Sequence, residues 1–332
     1  MDRYMLRRID ALYRRTRRWF HSRKFAEVRT NAMGPASGFD GYVRPFEVGY
    51  SRPGGESRLY LASSPEFEMK KLAFGGSGKL FQIARAFRNA EHDPTHRPEF
   101  DMLEWYVPDT DYRDAMGQTE DLIRCAVRET WGNSGIVFRG TKVRLDKPFV
   151  RIRMRDLFLE ATGIDLARVQ DRDDFLEAAR NLGVTHLRPT ASWDTVFFIV
   201  FLEKVEDRLR RMEKPVVLLD HPVQVASLAK QSAGSPEFVE RFEVYVRGLE
   251  LCNGYSELTD REGHLRRLEL VNSQRRQEGF LDLAFPADFL ASLPGAEARF
   301  SGVALGMDRL AMIATGSGDI AGVVPFDPFA AG

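Results

Sequence analysis

Three stretches of the chain concentrate acids and arginines next to glycines and aromatic residues. The first carries Arg88 and Asn89 and continues through HRPEFDMLEWY; the second is GLELCNGYSEL, residues 248–258; the third is SGVALGMDRL, residues 301–310. Glu250 and Glu257 lie seven apart across an Asn-Gly pair read as a turn, so their carboxylates can share a Mg²⁺ or meet an ammonium group. Arg309, just inside a helix that follows small residues, offers a fixed cation where a polyphosphate approaches a helix start. Arg88, at the end of an apolar strand, can make a bidentate contact to a phosphoryl oxygen. Singly, each stretch has an ordinary reading: an exposed hairpin loop, an edge strand with solvated acids, an Asp-capped helix. Together they point to a site for phosphates and an amine.

Other candidate chemistry fails on its own terms. AFGGSGKL, residues 73–80, lacks the first glycine and the final Ser or Thr of a P-loop, and reads as a helix C-terminus and turn. Of six histidines only His92 and His96 share a four-residue spacing, with no third ligand for a metal. No GxSxG nucleophile elbow is present.

The elements that must position these residues can be read in outline. Tyr4, Met5, Ile9, Leu12, Tyr13, Trp19 and Phe20 form a helical stripe, predicting a docked first helix with its arginines solvated. Short strands are expected at 25–28 and 58–62, with an extended piece at 42–48 and a polar turn over 51–57. Ser64-Pro65-Glu66 has the hydroxyl, proline and acid of a helix start. Two apolar segments, 80–87 and 100–107, flank a charged loop as a long antiparallel hairpin. A largely helical middle spans about 112–211. Strands return at 215–220, 242–251 and 300–304, and a last helix begins near Asp308. Strands at both ends with helices between imply an α+β fold whose sheet is mainly antiparallel. No repeat or linker divides the chain, so residues 1–332 read as a single catalytic domain.

Composition narrows the classes. The 332 residues carry 48 Lys plus Arg against 48 Asp plus Glu, so bulk charge disfavours a broad nucleic-acid footprint. Two distant cysteines, Cys125 and Cys252, exclude a disulfide scaffold or zinc finger and suit a reducing cytoplasm. The most apolar run, 195–202, is far short of a membrane span, and no secretory signal opens the chain.

These segments, with LASSPEFEMKKL and ERFEVYVRGLELCNGYSELTD, resemble motifs 2 and 3 of class II aminoacyl-tRNA synthetases, in the form found in lysyl-tRNA synthetase. The likeness runs in order from about residue 12 to 320. It is closer to the short lysyl-synthetase paralogues that aminoacylate a lysine of translation elongation factor P. It implies a six- or seven-stranded antiparallel sheet flanked by helices, a homodimer, and two half-reactions. An amino-acid carboxylate attacks the α-phosphorus of ATP, and an acceptor nucleophile then takes the aminoacyl group. By position, the resemblance makes Arg88 the α-phosphate arginine, Phe100 the adenine platform and Arg309 the γ-phosphate arginine. Asn89, His96, Glu250, Leu251 and Gly306 join them as ATP-site positions. Glu250 and Glu257 become Mg²⁺ carboxylates. Ser64, Pro65 and Glu66 match the part that holds the substrate's amino and carboxylate end, and Glu104, Tyr106 and Glu257 the part that receives the side-chain ammonium of lysine. Ala304 stands where lysyl-tRNA synthetases carry glycine and the paralogues alanine, which suits (R)-β-lysine. A preceding anticodon-binding domain of roughly 100 residues finds no room. The implied acceptor is therefore elongation factor P, with tRNA disfavoured.

Three positions depart from the pattern: Ala90 where glutamate contacts adenine, Arg97 in place of an ATP-site asparagine, and Asn31 in place of the motif 1 proline. Two further readings follow: activation of lysine for another acceptor, either tRNA or a carrier protein, and a non-catalytic paralogue that binds nucleotide or lysine as a regulator.

Overall fold

The structure, a computed structural model, describes residues 3–39, 43–89, 91–131, 136–277, 279–280 and 282–326. The helix Arg3–Ser22 buries Leu12, Thr16, Trp19 and Phe20, as its periodicity predicts. The Phe20 ring stacks on Phe81 at 4.4 Å, and Trp19 donates from its indole to Asp121 of the helix Tyr112–Trp131 at 2.9 Å. Burying an aromatic side chain of this size contributes about 2–3 kcal/mol, enough to anchor the helix. The front of the predicted stripe does not dock: Tyr4 is 64% exposed, with Arg8 lying over its ring.

An eight-stranded sheet forms the body. Its order runs Ala26–Glu27, Leu80–Phe87, Glu99–Pro108, Phe300–Gly306, Leu249–Ser256, Phe238–Val246, Val216–Pro222, Val150–Arg153. The central pairings are antiparallel, and only the outermost pair on each side runs parallel. One face packs on the first helix, on Tyr112–Trp131 and on Met307–Thr315. At the far edge, helices Met154–Thr162, Arg172–Asn181 and Trp193–Val200 enclose a second apolar cluster built on Phe158, Phe175, Trp193 and Phe197. A smaller sheet, Met33–Gly34, Glu47–Arg52 and Gly55–Leu61, pairs separately and meets the main sheet where the Phe87 N–H donates to the Ala62 carbonyl at 2.9 Å.

Three sequence expectations change here. The run read as one strand over 242–251 is a hairpin, turning at Arg247 and Gly248 with φ of 53° and 78°. The Asn253-Gly254 pair, read as a turn, lies inside the strand Leu249–Ser256, where Asn253 pairs with Glu243 and with Ala304. Glycine is needed there for close approach, not for turning, since a Cβ would stand 2.7 Å from the Phe242 ring and 2.9 Å from Val303. The polar segment 51–57 likewise continues two strands around a tight turn at Pro53 and Gly54. By contrast, AFGGSGKL is the predicted helix end, with Gly75 closing the helix Glu66–Phe74. Among the described residues no helix is long and apolar enough to cross a membrane.

Candidate active site

The four central strands bring the charged residues to one face of the sheet, where two joined cavities lie. The outer, about 270 Å³, is lined by Arg88, His96, Phe100, Glu250, Leu251, Gly306 and Arg309 among others. The inner, about 50 Å³, is lined by Ser64, Glu66, Glu104, Tyr106, Tyr255 and Glu257 among others. Arg88, Met102, Asn253 and Ala304 line both, so a ligand reaching from one to the other passes these four side chains. A larger, mostly apolar cavity of about 530 Å³ adjoins the outer one at His96, Glu250 and Arg309.

Arg309 is fixed by the strand-to-helix junction at Gly306 and Met307. Its guanidinium donates to the Glu250 carbonyl at 2.9 Å and the Thr95 carbonyl at 3.2 Å, and turns its remaining amine to His96 Nε2. His96 Nδ1 in turn meets Asp93 at 2.8 Å. A carboxylate can only accept, so the imidazole proton sits on Nδ1 and leaves Nε2 to accept from Arg309. The helix start is also tied to the first helix: Asp308 accepts from the Asp101 backbone N–H at 3.0 Å, and Asp101 accepts from the Tyr13 hydroxyl at 2.5 Å. Arg88 follows the strand Leu80–Phe87 and lies with its guanidinium carbon 5.4 Å from the Phe100 ring centre.

The inner cavity is acidic. Glu104 and Glu257 are buried, and Tyr106 donates to Glu104 at 2.8 Å. Burial pushes both carboxyls up to about 8, with the charge of Glu66 adding to each. Glu66 behaves differently: burial disfavours its charge, yet Lys70 and the Tyr255 hydroxyl hold it below the usual carboxylate range. Lys70 is completely buried, with Nζ 2.7 Å from Glu66 and 2.6 Å from Glu257. Glu257 Oε1 has no hydrogen-bond partner among the described residues. Buried acids at such values are short of cations, which an incoming ammonium supplies.

Not every expected residue falls on a cavity wall. Pro65 only begins the helix that carries Glu66, and Asn89 pairs by its backbone with Arg44. Glu250 and Glu257 do not meet: the extended strand between them spans about 20 Å, which puts Glu250 in the outer cavity and Glu257 in the inner one. The carboxylate beside Glu250 is instead Glu243, on the neighbouring strand. Glu243 itself is buried, but His221 and Arg241 hold it well below the carboxylate range, and it accepts from Arg241 and Tyr245 at 2.7 Å each. Burial and that neighbouring charge push Glu250 up to about 7. Arg97 is buried in the outer wall and donates to the Phe326 carbonyl at 2.9 Å. Asn31 is exposed ahead of the strand Met33–Gly34, and Ala90 lies outside the described residues.

Residue patterns in the sequence hold signals for the missed members. Lys70 stands at i+4 from Glu66 on a helix, the spacing of a side-chain pair. Arg241, Glu243 and Tyr245 alternate along one strand and so share a face. Glu243 and Glu250 also lie seven apart, this time across the true hairpin turn.

The chain is similar in sequence to known ligases. A lysine–tRNA ligase of Nostoc punctiforme is 34% identical over 312 residues, 93% of this chain, and one of Carboxydothermus hydrogenoformans is 34% identical over 314. The chain spans only 54% and 62% of those proteins' lengths. An elongation factor P–(R)-β-lysine ligase of Salmonella typhi is 35% identical over 319 residues, covering 95% of this chain and 92% of the ligase. With residues 3–329 matching the family model as well, the chain belongs to the tRNA synthetases of class II (D, K and N).

Proposed function

We propose that the protein is an ATP-dependent ligase that activates lysine or (R)-β-lysine as an aminoacyl adenylate and transfers it to a lysine side chain of translation elongation factor P. The observation that carries the substrate class is the inner cavity, where Glu66, Glu104 and Glu257 stand against one internal ammonium and Glu257 keeps an unpartnered oxygen. A family that also handles aspartate and asparagine needs a discriminator, and a carboxylate-lined pocket repels an acidic side chain while it pairs with an amine. The acceptor reading draws support from relatives named for that modification, which this chain matches over 92% of their length.

In the first half-reaction the amino-acid carboxylate oxygen bonds to the α-phosphorus of ATP, and the bond to the leaving pyrophosphate breaks. Arg88 lines both cavities and so can neutralise the carboxylate and the α-phosphate as they approach. Arg309 and His96 serve the far end of the triphosphate, and Phe100 offers a face for adenine. In the second half-reaction the acceptor's lysine nitrogen attacks the activated carbonyl, and AMP leaves. The work is positioning and charge neutralisation.

Mg²⁺ fits the outer cavity. Glu250 is a buried acid raised by burial and by Glu243, and Mg²⁺ typically takes one or two carboxylates plus substrate phosphate oxygens. Glu250 would hold the ion with the substrate's phosphate oxygens, and Glu243, whose oxygens Arg241 and Tyr245 already engage, would add negative charge beside it; the ion when bound supplies positive charge at the phosphates. The same reading carries a homodimer and a cytoplasmic location, which light scattering and cell fractionation test.

Purified protein should catalyse pyrophosphate exchange with lysine or β-lysine and then label elongation factor P. Labelling of tRNA but not of that factor would remove the acceptor assignment. Ala304, between Glu104 and Asn253 on neighbouring strands, lines both cavities and is the expected isomer filter. Ala304→Gly should shift the preference toward α-lysine by about tenfold, as one methyl in a pocket allows. An unchanged isomer ratio would clear this residue of that role.

Binding should also be linked to protons. Glu104 and Glu257, up to about 8, hold protons in the free pocket at pH 7 and give them up to solvent when an ammonium ligand binds. Lysine affinity should therefore rise between pH 6 and 8, by up to about tenfold per unit for each proton released. The sign for stability is opposite: a carboxyl raised in the folded state destabilises the free protein as pH climbs from about 4.5 to 8. Calorimetry in buffers of different ionisation enthalpy detects the released protons, and a pH-independent affinity with none released would refute the linkage.

A further inference from the structure

Lys70 occupies an unusual place for a charged side chain. It sits one turn after Glu66 on the helix Glu66–Phe74, completely buried, and bridges Glu66 to Glu257 at the end of the strand Leu249–Ser256. The Tyr255 ring centre lies 5.1 Å from Nζ, and the Tyr255 hydroxyl donates to the same Glu66 oxygen that Lys70 holds. Glu104 and Tyr106 on the strand Glu99–Pro108, and His264 on the helix Arg261–Gln277, complete the charged and titratable surroundings. Lys70 does not line the inner cavity, whereas both of its partners do. It grips them from behind.

The consequence is a charge count and a distance. Once a ligand has drawn the protons off Glu104 and Glu257, three carboxylates, Glu66, Glu104 and Glu257, stand against the Lys70 ammonium and leave two negative charges. That is the number that the two ammonium groups of a diamino acid neutralise, while Arg88 in the same wall faces the substrate's carboxylate. A flexible pair of like charges would spread apart or change partners, while a shared buried cation holds them at one separation.

We propose that Lys70 is a positioning and specificity residue. By clamping Glu66 to Glu257 it fixes the spacing of the carboxylates that take a diamino acid, and it trims the pocket's charge to match that substrate. The proposal rests on the amino-acid-activating reading of the site.

The test uses Lys70→Met in the full chain, near in volume and neutral, with ATP–pyrophosphate exchange driven by L-lysine, (R)-β-lysine or norleucine. Norleucine keeps the carbon chain and lacks the side-chain ammonium. The amino-acid KM should rise about tenfold or more while the KM for ATP stays within about twofold, and the preference for lysine over norleucine should fall by about tenfold. A merely structural loss would reduce the active fraction, and so kcat, leaving both KM values and the preference in place. An unchanged amino-acid KM with an unchanged preference overturns the proposal. If Lys70→Met does not fold, Lys70→Gln keeps a donor for one carboxylate without the charge, and the same shifts are required of it. Failure of the wild-type protein to use either lysine isomer, with exchange supported by another amino acid, would instead overturn the functional reading.

Discussion

Arg309→Ala should reduce lysine-dependent pyrophosphate exchange by about a thousandfold or more, the scale on which arginines that stabilise a transferring phosphoryl group act. The guanidinium sits where the outer cavity meets its larger neighbour, held by the Glu250 and Thr95 carbonyls and by His96. These neutral partners position the arginine and leave its charge free of any carboxylate bond among the described contacts. A phosphate can then take over the donors without breaking an ion pair. Arg309→Lys restores a point charge but not the planar fork, and should remain well below wild type. Thermal unfolding of each variant separates lost chemistry from lost fold. Exchange within tenfold of wild type in a folded Arg309→Ala protein would exclude Arg309 from the phosphate site.

Gly302→Ala should close the inner cavity. A Cβ at this position would stand 2.1 Å from Glu257 Oε1 and 2.6 Å from the Tyr106 ring. Moving either neighbour breaks a contact: Glu257 is held through its other oxygen by Lys70, and Tyr106 is buried with its hydroxyl on Glu104. The extra methyl then either displaces the oxygen that awaits the substrate or strains the strands around it, an overpacking cost of about 1–3 kcal/mol. Lysine affinity should fall by about a hundredfold. ATP affinity should be nearly unchanged, because Gly302 lines the inner cavity and not the outer one. Separate calorimetric titrations with lysine and with ATP decide it; equal losses for both ligands would mean global damage instead of a blocked pocket. Two residues along the same strand face, Ala304 carries its methyl into the wall that both cavities share.

Much of this arrangement is legible in the sequence because it depends on local pattern. The helical stripe of the first helix, the hairpin of 80–87 and 99–108, and the strand-to-helix step before Arg309 all follow from periodicity and turn residues. The class II fold needed the long ordered resemblance as well. What stayed hidden depends on pairing across the sheet. Asn253-Gly254 has the composition of a turn, yet Phe242 and Val303 on the flanking strands demand a glycine in mid-strand. Reading a turn there brought Glu250 and Glu257 together; the strand instead sends them to different cavities, and the hairpin turn at Arg247 and Gly248 brings Glu243 beside Glu250. Lys70 reads as one more charge on a helix until the strand end places Glu257 against it.

The central claim is that a carboxylate-lined pocket selects a lysine-type substrate within a family that also uses aspartate and asparagine. The most direct measurement is amino-acid-dependent pyrophosphate exchange with L-lysine, (R)-β-lysine, aspartate and asparagine side by side. Exchange with one or both lysine isomers, and none above background with the other two, is the predicted result. Exchange with aspartate or asparagine and not with either lysine isomer would contradict the account.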